Sequence, residues 1–481
     1  MTTELQPEKI VLQKRADALD ALRGIAILAM VLSGTIPFGG ALPTWMYHAQ
    51  VPPPNHQFNP NLPGLTWVDL VFPFFIFTLG AAIPLAQSRR MEKGGTKQQV
   101  IFSILKRGFL LASFAIVVQH FRPFVITTDP VAYKWKFGLI GFFLLFLMFG
   151  QFPKSLPQWS RTIATVGGWT MGILFLTALQ YPQDERSQSF AFYRSDIILL
   201  ILANLVVFAS LIWLLTRRDA ILRLGFLGCL FPLLLSFNDD GWITQNFSID
   251  VISWLFNFDY LKYLFIAIPG TLVGDWIVSW LGAKKAEEQP TWGQWRYGII
   301  TILMMSINLN LLVGLQARWL EQTALISFGL CLMGYGLVRT ARSDTEKLLK
   351  KMYFWGCYWL ALGIAFEPYQ GGIKKDSATM SYFFVTTAMS LFLLIALVIV
   401  IDVFQRKKWL QLFIDNGKNP MMAYVAFGNL LWPILELTGW QNKIADMTQI
   451  PWLGFLRGLT YTLIVALFVS LCTRLKLFWK T

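Results

Sequence analysis

The chain has 481 residues, of which 55% are hydrophobic, 15% aromatic and only 14% charged, and its mean hydropathy is +0.52. A soluble protein carries about a quarter charged residues, so this composition excludes an ordinary soluble domain. The net charge of +14 is spread over short loops rather than gathered into one patch, which fits topogenic charge and argues against nucleic acid as a partner.

Apolar runs long enough to cross a hydrocarbon core of roughly 30 Å recur along the chain, and in lipid such runs must be helical to satisfy their own backbone. They fall near Leu19–Phe38, Trp67–Gln87, Ser103–Phe121, Trp135–Gly150, Thr162–Gln180, Arg194–Leu215, Ile221–Phe237, Tyr260–Leu281, Tyr297–Gly314, Gln322–Val338, Tyr353–Phe366, Tyr382–Ile401, Leu412–Leu437 and Trp452–Thr473. The expected fold class is all-α, a polytopic integral membrane bundle of roughly 11 to 14 transmembrane helices. Residues 1–18 read as a cytoplasmic N-terminal segment without a cleavable signal, and 19–481 as a single transmembrane domain.

Alternate loops are rich in Lys and Arg, from Lys9, Lys14 and Arg15 through Arg89, Arg90, Lys93 and Lys97, then Lys154 and Arg161, Arg217 and Arg218, Lys284 and Lys285, Arg339 to Lys351 and Arg406 to Lys408, to Arg474, Lys476 and Lys480. The loops between them are poor in both, and the one from Asn238 to Asp259 is acidic. By the positive-inside bias both termini face the cytoplasm, and the loop before Trp67 faces outside. The four cysteines, Cys229, Cys331, Cys357 and Cys472, lie singly in apolar runs without zinc or redox spacing.

That outer loop is proline-rich and carries His48 and His56. Neutral imidazole can act as a general base or accept an acyl group, and prolines at 52, 53, 54, 60 and 63 lower the entropy of ordering such a loop. Spacing alone is equally compatible with ordinary loop histidines. His120, at the end of the third run, reads as interfacial. Asp69 in Thr66-Trp67-Val68-Asp69 suits a capping box, and it could also orient an imidazole; the two roles are compatible. Asp20 and Arg23 are three apart on one helix face, either as an ion pair or with Arg23 holding the phosphates of a cytoplasmic donor. Lys374 and Lys375 fall in an outer loop, where the charge rule disfavours them, and they read either as solvated or as binding an acceptor. Asn204, Asp275, Asn308, Asn310, Glu367, Asn429 and Glu436 lie within or beside spans and should face the interior or an interface. No phosphate loop, HExxH or Cys/His metal set is present, so no metal is expected.

These residues sit in a pattern that resembles the heparan-α-glucosaminide N-acetyltransferase-like family (DUF5009 type), within the transmembrane acyltransferases. The similar pieces are ALDALRGIAILAMV from Ala18, the His48–Ala49 pair, GLTWVDLVFPFFIFTLGAAIPL from Gly64, IKKDSATMSYFFVTT from Ile373, NGKNPMMAYV from Asn416 and RLKLFWKT from Arg474. Two family segments differ, replaced here by residues around Phe137–Phe143 and by DYLK at Asp259–Lys262. The resemblance implies transfer of an acyl group, specifically acetyl, from cytoplasmic acetyl-CoA to an amino sugar or glycan on the outer side. It implies His48 as the catalytic histidine, with His56 as the alternative across the inserted prolines and Asp69 as its orienting partner. Arg23 and Asp20 would hold the donor, and Lys374 and Lys375 the acceptor. The implied partners are the lipid bilayer, acetyl-CoA and the acceptor, with room for a homodimer. The implied location is a bacterial inner membrane. The alternative readings are a transporter or flippase of sugar or lipid-linked glycan, and a non-catalytic relative.

Overall fold

The computed structural model describes residues 16–38, 42–153, 155–238, 254–283 and 291–479. The N-terminal segment before residue 16, most of the acidic loop after Asn238 and the basic positions Lys154, Lys284, Lys285 and Lys480 lie outside them. The described residues form an all-α bundle. Its main helices are α1 (Asp17–Ser33), α2 (Trp67–Glu92), α3 (Lys97–His120), α4 (Ala132–Phe149), α5 (Gln158–Ala178), α6 (Ile197–Leu215), α7 (Ala220–Asn238), α8 (Leu264–Gly282), α9 (Gln294–Gln316), α10 (Leu320–Val338), α11 (Asp344–Phe366), α12 (Met380–Val398) and α13 (Pro451–Arg474). One two-residue antiparallel pairing, Gly150 with Trp479 and Gln151 with Phe478, ties the end of α4 to the C-terminal residues.

Each apolar run coincides with helix, but the count of spans is smaller than the expected 11 to 14. Among the described residues nine helices are long and apolar enough to cross a bilayer, or ten if a bent pair is one span. The difference has local causes. The α1 helix has only 17 residues, and α11 opens on the charged stretch DTEKLLKK. The run expected at Leu412–Leu437 is interrupted: helix Gln411–Lys418 ends at Asn419, helix Pro420–Ala426 passes into a π-helical turn at Phe427–Leu431, and the axis bends by 92° before Trp440–Met447. The protein is an integral membrane protein by these helices.

Two helices, α2 and α12, are buried almost throughout and form the core about which the others pack. Side chains this apolar on every face give no inward stripe, so glycine contacts set the closest crossings. A Cβ on Gly80 would collide with the carbonyl of Ala267, one on Gly270 with that of Phe77 and one on Gly274 with that of Ala81. The α2 and α8 backbones therefore meet directly, as small-residue contacts in membranes allow. Gly24 and Gly417 do the same for α1 and helix Gln411–Lys418.

The acidic and asparagine residues expected within or beside spans each make a polar contact. Asp275 accepts from Arg223 at 2.6 Å and from Trp213 at 2.9 Å, Glu367 pairs with Arg318 at 2.5 Å, and Glu436 accepts from Trp432 at 2.9 Å. Asn204, Asn308, Asn310 and Asn429 each donate to a backbone carbonyl. Pairing of this kind offsets the cost of polar groups in lipid.

Candidate active site

The first turn of α2 carries the candidate site. Asp69 is the third residue after the cap Thr66, and its Oδ2 accepts from Thr66 N at 3.0 Å and Thr66 Oγ1 at 3.1 Å, as a capping carboxylate does. Ala49 N also donates to Oδ2, at 3.2 Å. The other oxygen, Oδ1, lies 2.7 Å from His48 Nδ1. One fully buried carboxylate therefore starts the helix and holds the histidine. The carboxylate can only accept, so Nδ1 carries a proton, and in the neutral imidazole Nε2 keeps the lone pair. The turn is braced from α12, where Tyr382 donates to the Asp69 carbonyl at 2.8 Å.

Two cross-links bring the second loop to this point. Gln50 Nε2 donates to Asp376 O at 3.2 Å, and Gly64 N to Ile373 O at 2.8 Å. They set Lys375 over the imidazole, with Nζ 3.4 Å and 3.5 Å from its two nitrogens. Lys375 lies 3.8 Å from Asp376. Lys374 points elsewhere and is not part of the cavity wall; its backbone N donates to Thr379 Oγ1 at 3.1 Å.

His48 opens into a cavity of about 330 Å³, within the usual range of about 300–1,000 Å³ for small-molecule sites. Its polar wall is His48, Lys375, Asp376, Asp259, Lys262 and Ser33, and its apolar wall comes from α2 and α6. Asp259 and Lys262 pair at 2.6 Å. Two carboxylates with two ammonium groups suit a small molecule bearing both an amine and hydroxyls.

His56 is not brought to this site. It sits at φ 49° with its ring packed edge-on to Tyr47 (centroids 4.5 Å apart) and Phe38 (5.1 Å), and its nitrogens have no hydrogen-bond partner among the described residues. Nor are Asp20 and Arg23. Arg23 lies ten residues, or about 15 Å of helix rise, from Ser33 along α1. Its guanidinium donates to Thr78 O at 3.2 Å, Gly417 O at 3.3 Å and Asp20 Oδ1 at 3.4 Å, tying α1 to α2 and to helix Gln411–Lys418. His120 is buried rather than interfacial: Nδ1 bonds Ile116 O at 2.8 Å, and Nε2 accepts from Ala191 N at 3.3 Å.

Asp259, Lys262, Asp376 and Tyr382 were not singled out from sequence. The i,i+3 spacing of Asp259 and Lys262 was the one available signal; the others depend on contacts more than 300 residues apart in sequence.

With this geometry in hand, the relatives are informative. A family model described as a domain of unknown function (DUF5009) matches residues 15–277, more than half of the chain. The chain belongs to the DUF5009 family. The matched range contains Asp20, Arg23, His48, His56, Asp69, Asp259 and Lys262, while Lys374, Lys375 and Asp376 lie beyond it. Human heparan-alpha-glucosaminide N-acetyltransferase is 32% identical over 109 residues, 23% of this chain and 14% of the relative. The mouse protein of the same name is 28% identical over 121 residues, 25% of this chain and 16% of the relative. The likeness thus spans less than a fifth of either curated relative.

Proposed function

We propose that this DUF5009 protein is a membrane acyltransferase that moves an acetyl group from cytoplasmic acetyl-CoA to the amine of an amino sugar or glycan on the outer side. The observation that carries the reading is the His48–Asp69 pair, with Nε2 directed by its tautomer toward a cavity lined by both acids and lysines. Two relatives named as N-acetyltransferases support the same chemistry.

In this reading His48 Nε2 takes a proton from the acceptor ammonium's conjugate amine as its nitrogen attacks the thioester carbonyl. The C–N bond forms, the C–S bond breaks, and coenzyme A leaves as the thiol or thiolate. The same nitrogen could carry the acetyl group transiently, since both routes need Nε2 unprotonated. Asp69 fixes the ring, as the orienting acid does in hydrolytic triads. Lys375 would hold acceptor hydroxyls and offer charge to the oxyanion; Lys374, outside the cavity wall, would take no direct part. A narrow apolar gap of about 10 Å³ beside Ile27 and Phe75 shares Met30, Phe72 and Ile198 with the cavity wall; Arg23 and Asp20, further along α1, would receive the donor phosphates after some parting of α1 and α2. The whole of 19–481 would act as one domain in a bacterial inner membrane, with both termini cytoplasmic.

The test is transfer of labelled acetyl from acetyl-CoA on one face of proteoliposomes to an amino sugar on the other. Absence of label in both protein and amino sugar with wild-type chain overturns the reading. Sugar counterflow without any acyl-CoA would instead point to a transporter.

A further inference from the structure

A second, larger cavity adjoins the first and has no part in the chemistry above. It encloses about 530 Å³, and Met30 of α1 is a wall of both cavities. The lining is mostly apolar, from Val31, Phe124, Val425, Phe427 and Trp432, with polar groups at Arg122 and Tyr424 and at Asn429, whose amide donates to Phe121 O. The edge at Arg122 and Tyr424 is built. Arg122 donates to Asp196 at 2.5 Å and to Tyr424 Oη at 3.0 Å, and Tyr424 donates to Asp196 at 2.6 Å. Arg122 nevertheless keeps about a third of its side chain exposed, at 36%. Following Tyr424 in the chain, the π-helical turn Phe427–Leu431 supplies further wall, and such turns are rare and concentrate at functional sites. Gly428 within it faces open space, since a Cβ there would have nothing within 4 Å.

We infer that this chamber holds the hydrocarbon chain of the acceptor, so that the acceptor is a lipid-linked amino sugar rather than a free one. The inference rests on the acyltransfer reading for what happens to the headgroup. The headgroup sits in the His48 cavity with its amine at Nε2, and the chain crosses the flexible side chain of Met30 into the apolar chamber. Three observations favour this occupant: the two cavities share a wall residue, the chamber is mostly apolar with its polar groups held by protein partners, and the His48 cavity alone leaves its α2 and α6 wall without a polar ligand group to face. A chain spanning both would cover that wall.

Binding is the readout, because it does not depend on turnover. Full-length protein in phosphatidylcholine nanodiscs is exposed to a dodecyl glucosaminide bearing a photoreactive group at the chain end. Labelling is expected on the Phe427–Trp432 peptide. Excess dodecyl glucosaminide should suppress it, and dodecyl maltoside, which has the same chain and no amine, should not. Gly428→Leu fills the chamber and should cut labelling at least about ten-fold, because each displaced methylene forfeits its burial. Gly329→Leu, at another glycine with open space around its Cβ, should leave labelling unchanged; thermal midpoints of both variants check that they fold. Equal suppression by the maltoside means adventitious lipid only and overturns the inference, as does labelling unaffected by Gly428→Leu. Labelling as expected without any acetyl transfer leaves the chamber assigned and removes the acyltransferase reading instead.

Discussion

His48, in the loop before α2, and His120, the last residue of α3, have rings held in opposite ways. His120 has both nitrogens engaged, one by Ile116 O and one by Ala191 N, and its ring stacks on Phe190 at 4.9 Å. Such a ring is a structural pin. His48 has one nitrogen fixed by a carboxylate and the other turned to a cavity, and its side chain is 36% exposed where that of Asp69 is 0%. The two rings thus differ in exposure and in what meets Nε2: a backbone N–H for the buried His120, and for His48 a cavity wall with Lys375 Nζ at 3.5 Å.

The largest effect expected from this contrast is on His48→Ala. Removing a positioned general base typically costs about 10²–10⁴-fold, so acetyl transfer in proteoliposomes should fall by that much, while His56→Ala stays near wild type and loses at most about 1 kcal/mol of aromatic packing. Equal activity in both variants would erase the distinction. Asp69→Asn comes next. An amide can present N–H to Nδ1 and so favour the wrong tautomer, and turnover should drop by at least about 10²-fold with the helix cap largely kept. A pH–rate profile that merely shifts without losing amplitude would contradict it.

His120→Ala should do the reverse of His48→Ala: about 2–4 kcal/mol less stable, from the lost ring volume and the orphaned Ala191 N–H, with unchanged turnover per folded molecule. Thermal unfolding in detergent measures the first and active-site-normalised rates the second. The smallest effect concerns the loop over His120. The Arg194 guanidinium at Asp184 pulls that carboxyl down to about 2, below its ordinary value near 4. A lowered folded-state value stabilises above the unfolded value and is lost as pH falls through the folded one. The midpoint gap between wild type and Asp184→Asn should thus be flat above about pH 5 and close toward pH 2. A gap that widens on acidification would break the assignment.

The sequence carried the helical membrane class and the capping start of α2, because each depends on local spacing or composition; that Asp69 orients an imidazole was only an option beside the cap and an implication of the resemblance. It left His48 and His56 as alternatives, since a loop of prolines and asparagines does not disclose which ring it folds inward; the structure brings His48 to Asp69 and packs His56 between Phe38 and Tyr47. Arg23 shows the limit from the other side. Its spacing to Asp20 was legible, but its hold on Thr78 and Gly417 depends on helices brought together by glycine contacts. The Arg122–Asp196–Tyr424 cluster joins residues 302 apart, and spans that are apolar on every face offer no periodicity from which to read such a meeting.

The division of labour between the two oxygens of Asp69 has a consequence for when the protein can react at all. The same group that lets the first turn of α2 form also readies the imidazole, so winding the turn and arming His48 are one event. A nascent or damaged chain whose α2 start is frayed presents a histidine free to spin and to protonate on either nitrogen. In the proposed reaction, competence would be tied to a completed α2 start, and a chain with that turn frayed would be inactive.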